Sequence, residues 1–282
     1  MKNIKISILF IAIISMASFS SCKKKGCTDP AACNYNEKAK NDDGSCDYEC
    51  IFQEHKSMAL VTKMTATWCG PCGSWGWITN EELIDQLGGK AVVMSLYYPQ
   101  GLNNPTASEW IADFNTLGTP NWAVNGRNRT VYSSTGGIFT STTKSNCVNA
   151  SDSTYSASPE AQAIYGAFTT EGSTITVNTL TQFYGSPSGE YYLGAYIVEN
   201  GVIADQAGDA GTNASHPYVL RGSMDGNPYG TLLVNGSTGT ETMENTFSMT
   251  MESGWVPENI NVALVIWKKV GGSYTFINAF TK

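Results

Sequence analysis

Residues 65–75 read TATWCGPCGSW, two cysteines separated by two residues and preceded by a tryptophan. Before them, MALVTKMTAT (58–67) is an apolar run of strand length that reads as a buried strand. After them, GPCGSWGWITNEELIDQLGG (70–89) reads as a helix closed by Gly88 and Gly89. Cys69 therefore sits where a helix begins, and Cys72 one turn inside it. A helix N-terminus concentrates unpaired N–H groups and the positive end of the macrodipole, and both stabilise a thiolate. Pro71 is tolerated there because its missing N–H had no partner to lose. The roles follow from the spacing. Cys69 attacks a disulfide, and Cys72 resolves the mixed disulfide that forms.

Working outward, KAVVMSLYYP (90–99) reads as a second strand and NPTASEWIADFNTLG (104–118) as a second helix with Thr106 at its N-cap. TPNWAVNG (119–126) is a third strand ending at Asn125-Gly126. Strand, helix, strand, helix, strand is the alternation of a sheet with crossover helices. TWCGPC after a strand resembles the thioredoxin motif, and Thr119-Pro120 matches the cis-proline loop of thioredoxin-like folds. The resemblance implies a thioredoxin-like domain over residues 55–150. It also implies a substrate groove made by Trp68, Gly70, Pro71, Thr119 and Pro120, with the Thr119–Pro120 bond cis.

The chain departs from that pattern in two places. Lys63 stands six residues before Cys69, where thioredoxins keep a buried acid; either it reaches out to solvent or its charge favours thiolate. The helix after the motif lacks the usual kink proline. It carries instead Gly73 and Gly76, which loosen a helix, beside Trp75 and Trp77, read as packing residues.

Past residue 150 the texture changes. STITVNTLTQFYG, GEYYLGAYIVENG, HPYVLRGSM, ENTFSMTM, NINVALVIWKK and YTFINAFT are short alternating runs separated by Gly, Asn and Pro. That spacing reads as an antiparallel β-sandwich, Ig-like, over residues 159–282, with 151–158 as a linker. HPYVLRG (216–222) and INVALVIWKK, joined to the thioredoxin-like half, resemble the Omp-twenty-eight family of bacterial outer-membrane lipoproteins. The resemblance implies an outer-membrane location, on the periplasmic face or the cell surface. His216 and Arg221 read as makers of structural hydrogen bonds, since no nucleophile motif accompanies them. Cys147 reads as a free buried thiol in preference to a bridge partner.

The N-terminus, MKNIKISILFIAIISMASFSSC (1–22), is a signal peptide: Lys2 and Lys5, an apolar stretch from Ile6 to Met16, then small residues. Its end resembles a lipobox, which implies lipidation of Cys22 and contact with a membrane through that anchor. No second stretch is long and apolar enough to span a bilayer. Export implies an oxidising compartment. Residues 23–54 form a basic tether, Lys23 to Lys25, followed by a module whose four cysteines, Cys27, Cys33, Cys46 and Cys50, have no room for a hydrophobic core. Two disulfides of unassigned pairing are expected there. A zinc site would want a repeated C-x2-C spacing.

Net charge is −7, and residues 1–25 carry five lysines and no acid, so the remainder carries −12. Such an acidic body argues against nucleic acid as a partner. No phosphate-cradling loop or helical metal motif is present, so neither a cofactor nor a metal is expected. Two function classes follow. One is a thiol:disulfide oxidoreductase acting on protein disulfides or a redox partner, and the other a binding or adhesion lipoprotein with a thioredoxin-like scaffold.

Overall fold

The structure, a computed structural model, describes residues 24–282 apart from 30–31, 48–51, 53–54, 115–117, 136 and 241. The signal peptide with Cys22, and Cys50, lie outside the described residues. Contacts divide the chain between Asp47 and Tyr48. In the first unit the expected crosslinking appears as a Cys27–Cys46 disulfide, and Cys33 is disulfide-bonded as well. The Asp43-Gly44 turn is set by two short-range bonds. Gly44 N donates to Asp42 Oδ1 and Ser45 N to Asp43 Oδ1.

The second unit is mostly β with few helices. Its first half runs β1 (Ala59–Thr65), α1 (Gly70–Gly73), α2 (Trp75–Leu87), β2 (Ala91–Tyr97), α3 (Pro105–Asp113), β3 (Asn121–Val124), β4 (Arg127–Asn128) and α4 (Thr140–Tyr155). Then come β5 (Ala161–Glu171), β6 (Thr174–Phe183), β7 (Ser188–Glu199), β8 (Val202–Gln206) and β9 (Gly211–His216). The chain ends with β10 (Val219–Ser223), β11 (Thr231–Ser237), β12 (Thr242–Thr250), β13 (Ile260–Val270) and β14 (Ser273–Thr281). Among the described residues no helix is long and apolar enough to cross a membrane.

One mixed nine-stranded sheet carries the unit, in the order β14-β13-β7-β10-β2-β1-β3-β4 with β11 beside β7. All seven residues of β1 are buried, as a strand covered on both faces requires. β1 pairs parallel with β2, from Ala59 opposite Ala91 to Thr65 opposite Tyr97, and antiparallel with β3. Asn125 and Gly126, both at positive φ, turn β3 into β4.

This continuous sheet corrects the expectation of two domains on a string. β10, inside HPYVLRG, pairs antiparallel with β7 and meets β2 at Val219 opposite Ser95, so it splices the two halves. Residues 151–155 are not linker but the end of α4. That helix was hidden by its Ser, Thr and Asn content. It buries only Thr143, Cys147 and Ser151, a single stripe at four-residue spacing.

The β-rich half is not a separate sandwich: β7, β10, β11, β13 and β14 belong to the nine-stranded sheet itself, and only β12-β6-β5 forms a second layer on it. Along β13, Ile260, Val262, Leu264 and Ile266 face the β12-β6-β5 sheet, while Ala263, Val265 and Trp267 face the opposite core around Trp110 of α3. Period-two alternation thus feeds two cores from one strand. Trp110 packs edge-on against Tyr196 and Trp267, at 4.8 and 5.4 Å between ring centroids, and donates its Nε1–H to Pro228 O. Burying an indole of about 200 Å² is worth up to roughly 5 kcal/mol. The N-cap of α3 is Asn104, whose Oδ1 accepts from Ala107 N, and not Thr106. Thr106 lies inside the helix, and its Oγ1 accepts from Ser223 N of β10.

Candidate active site

β1 delivers the chain to the start of α1, and Cys69 is the N-cap residue. Cys69 and Cys72 form a disulfide. Cys72 N donates to Cys69 Sγ over 3.2 Å, so an amide of the first helical turn points at the sulfur that the sequence assigns as nucleophile. The expected long helix is broken at Ser74, with φ −104° and ψ −111°, into α1 and α2.

The Thr119–Pro120 bond is cis, and its loop lies against the pair. Cys69 Sγ is 3.7 Å from Thr119 O and Cys72 Sγ is 3.3 Å from Thr119 Oγ1. Thr119 Oγ1 donates to Met64 O, which leaves its lone pairs facing Cys72. In the dithiol form that oxygen can accept the Cys72 S–H. Gly76 is required where the helix meets this loop, because a Cβ would stand 2.9 Å from both Pro120 Cγ and Pro71 O. The structure therefore brings Trp68, Cys69, Gly70, Pro71, Cys72, Thr119 and Pro120 together.

Access to the pair is uneven. Trp68 is 54% exposed and Pro71 is exposed, while Cys69 is 5% exposed and Cys72 fully buried. The cover was not foreseen from the sequence: it is the turn between β8 and β9. Gln206 Nε2 donates to Ala66 O at 3.1 Å and Cys69 O at 2.9 Å. Ala207 N donates to Thr67 O, Ala210 N to Gly73 O, and Asp209 N to Ser74 Oγ. Gly73 answers this contact, since a Cβ there would lie 2.0 Å from Ala207 O. The only sequence signal was the turn residues Gly201, Gly208 and Gly211, which mark a hairpin without saying where it docks.

Behind the site, Lys63 is 4% exposed, with Nζ 5.5 Å over the Trp77 ring. It does not reach out to solvent. Desolvation pushes its pKa down to about 8, against an upward pull from Glu81, which accepts from Trp77 Nε1. His216 is fully buried between Tyr97 and Ala204 O. Its pKa is lowered by burial, with the Lys63 charge adding to the shift. Arg221 pairs with buried Glu199 at 2.7 Å, and Glu199 also accepts from Val256 N. Both residues of HPYVLRG are thus structural. Cys147 is a free thiol on the buried face of α4, its pKa pushed up to about 12 by burial.

No protein-family profile matches the chain, and no curated protein matches its sequence. Among solved structures it is similar to HBP35 of Porphyromonas gingivalis, at 14% identity and a TM-score of 0.63, over 80% of this chain and 75% of that one. A domain of the outer membrane lipoprotein Omp28 from Porphyromonas gingivalis also matches, at 17% identity, over 43% of this chain and 88% of that one. Its TM-score of 0.28 is too low to argue from. The first likeness is one of fold.

Proposed function

We propose that the chain is an exported thiol:disulfide oxidoreductase, lipid-anchored through Cys22 at the bacterial outer membrane. Its thioredoxin-like part, residues 55–150, exchanges electrons with protein disulfides or a redox partner outside the cytoplasm. The observation that carries this reading is the Cys72 amide held 3.2 Å from Cys69 Sγ at a helix start. The Thr119–Pro120 loop closing over the same two sulfurs supports it. The Cys27–Cys46 disulfide supports the compartment, since such crosslinks persist where the environment oxidises.

Cys69 thiolate attacks one sulfur of the substrate disulfide, forming a mixed disulfide and releasing the other sulfur as thiolate. Cys72 then attacks Cys69 Sγ, releases the second substrate thiolate and closes the Cys69–Cys72 bond. Two electrons pass to the substrate, and a dithiol donor restores the pair. Run backward, the same steps oxidise a substrate dithiol.

The second reading is a surface binding or adhesion lipoprotein whose thioredoxin-like part is scaffold. It is favoured by the burial of Cys69 under the β8–β9 turn. A single-turnover experiment separates the two. The dithiol form of the chain lacking residues 1–22 is mixed with the disulfide of an unstructured peptide, and peptide thiol release is followed. The oxidoreductase reading expects rapid release that Cys69→Ser abolishes. Equal release by both proteins would leave only the scaffold.

A further inference from the structure

The turn over the dithiol has a shape that bears on which disulfides reach it. We propose that Gln206–Ala210 is a specificity clamp for the Cys69–Cys72 pair. It admits a disulfide carried on a slender, extended peptide and holds folded proteins away from Cys69. The proposal rests on the exchange reading above.

Attack on a disulfide runs along the axis of the bond being broken, so the substrate sulfur needs a clear line to Cys69. On one side of the pair lie Trp68, whose Nε1–H donates to Pro99 O, and the Thr119–Pro120 loop. Trp68 on that side is 54% exposed, and this is the side from which an extended chain would approach Cys69. On the other side the clamp occupies the space a broad partner would need. Gln206 Nε2 holds Cys69 O itself, and Ala207 and Ala210 hold Thr67 O and Gly73 O on either side of the cysteines.

The fit is built from both partners. A Cβ on Gly208, already at φ +98°, would lie 2.3 Å from Gly70 O, and one on Gly73 would lie 2.0 Å from Ala207 O. Each glycine faces the backbone of the opposite segment, Gly208 toward Gly70 O and Gly73 toward Ala207 O, so the seam is too close for a side chain at either position.

The hairpin is anchored at its base and light at its tip. Val202 packs with Tyr97 and Val219, and His216 is fixed by Tyr97 and Ala204 O. At the tip, Ala207, Gly208 and Asp209 are exposed. A groove of about 420 Å³ lined by Gly73, Ser74, Trp77, Asp209 and Ala210 follows the seam. The tip is therefore held by hydrogen bonds and not by apolar packing, and substitutions in it can loosen the clamp while the sheet stays intact.

The test compares the dithiol forms of the wild type, Gln206→Ala and Gly208→Ala. Thiol release is measured in single turnover with two probes, an unstructured peptide disulfide and folded insulin. The wild type should prefer the peptide. Both variants should raise the insulin-to-peptide rate ratio by about tenfold, each through a loss on the scale of one or two hydrogen bonds. Gln206→Ala loses its bonds to Ala66 O and Cys69 O, and Gly208→Ala pushes the seam apart. An unchanged ratio in both variants overturns the clamp and leaves the exchange reading standing. Exchange with neither probe, equal to that of Cys69→Ser, overturns the exchange reading and the clamp with it.

A second readout needs no turnover. Alkylation of reduced Cys69 by a polymer-bound maleimide, relative to iodoacetamide, should speed up in both variants, together with faster hydrogen exchange at the Ala207 and Ala210 amides. A polymer-to-iodoacetamide ratio that stays at the wild-type value contradicts the clamp.

Discussion

The Cys27–Cys46 and Cys69–Cys72 disulfides are the same bond in two different settings. Cys27 and Cys46 are 19 residues apart and tie together a short segment of loops and turns. Cys69 and Cys72 are three residues apart, inside a packed unit whose strands, helices and aromatic core exist without them. In the first case the bond replaces a core. In the second the surroundings shape the bond, with an amide on one sulfur, a threonine at the other and a turn across the top. Where a disulfide is needed for folding, its environment is incidental. Where the fold surrounds it, the environment is what the proposed exchange rests on.

The largest expected effect comes from breaking the first bond. In Cys27→Ser, the loop that the disulfide closed gains conformational freedom worth about 3 kcal/mol. Protease cleavage within residues 24–47 should speed up by roughly a hundredfold in the thermodynamic regime. Cleavage at the wild-type rate would show that the module has another source of order. Reduction of Cys69–Cys72 by a limiting dithiol should leave the near-ultraviolet dichroism of the aromatic core unchanged, which completes the contrast.

A smaller effect sharpens what packs behind the Cys69–Cys72 pair. The folded-state pKa of Lys63, about 8, lies below its ordinary value of 10.5. Between those values the unfolded chain binds a proton that the folded chain does not, so this group makes stability rise with pH. Below pH 8 the folded chain keeps a disfavoured buried ammonium. Lys63→Met should therefore gain on the order of 2 kcal/mol at pH 7, after allowing for the lost contact with Trp77. Urea denaturation at pH 7 and 9.5 should show the gap narrowing as pH rises. Equal stabilities at pH 7 would place the charge in water.

Local signals in the sequence were read well where local physics decides. The run into Trp68, the proline at the helix start and the Gly88 stop, with φ +56°, all depend on near neighbours. Long-range contacts were not readable. Gly73 and Gly76 looked like helix weakeners, yet they stand where Ala207 O and Pro120 come too close for a side chain. Thr106 looked like a cap, yet Asn104 caps and Thr106 serves a strand more than a hundred residues on. The α4 helix was missed because a three-residue buried stripe in a Ser/Thr-rich segment gives almost no periodicity. The same limit concealed the turn that covers Cys69, since its residues fit any exposed hairpin and its partners lie about 140 residues away.

The central claim is that Cys69 attacks and Cys72 resolves, and trapping the intermediate tests it most directly. The Cys72→Ser protein, reduced and mixed with the unstructured peptide disulfide, should accumulate a peptide adduct on Cys69 visible by intact mass and peptide mapping. An adduct on Cys147, or none at all in a folded protein, would contradict the account.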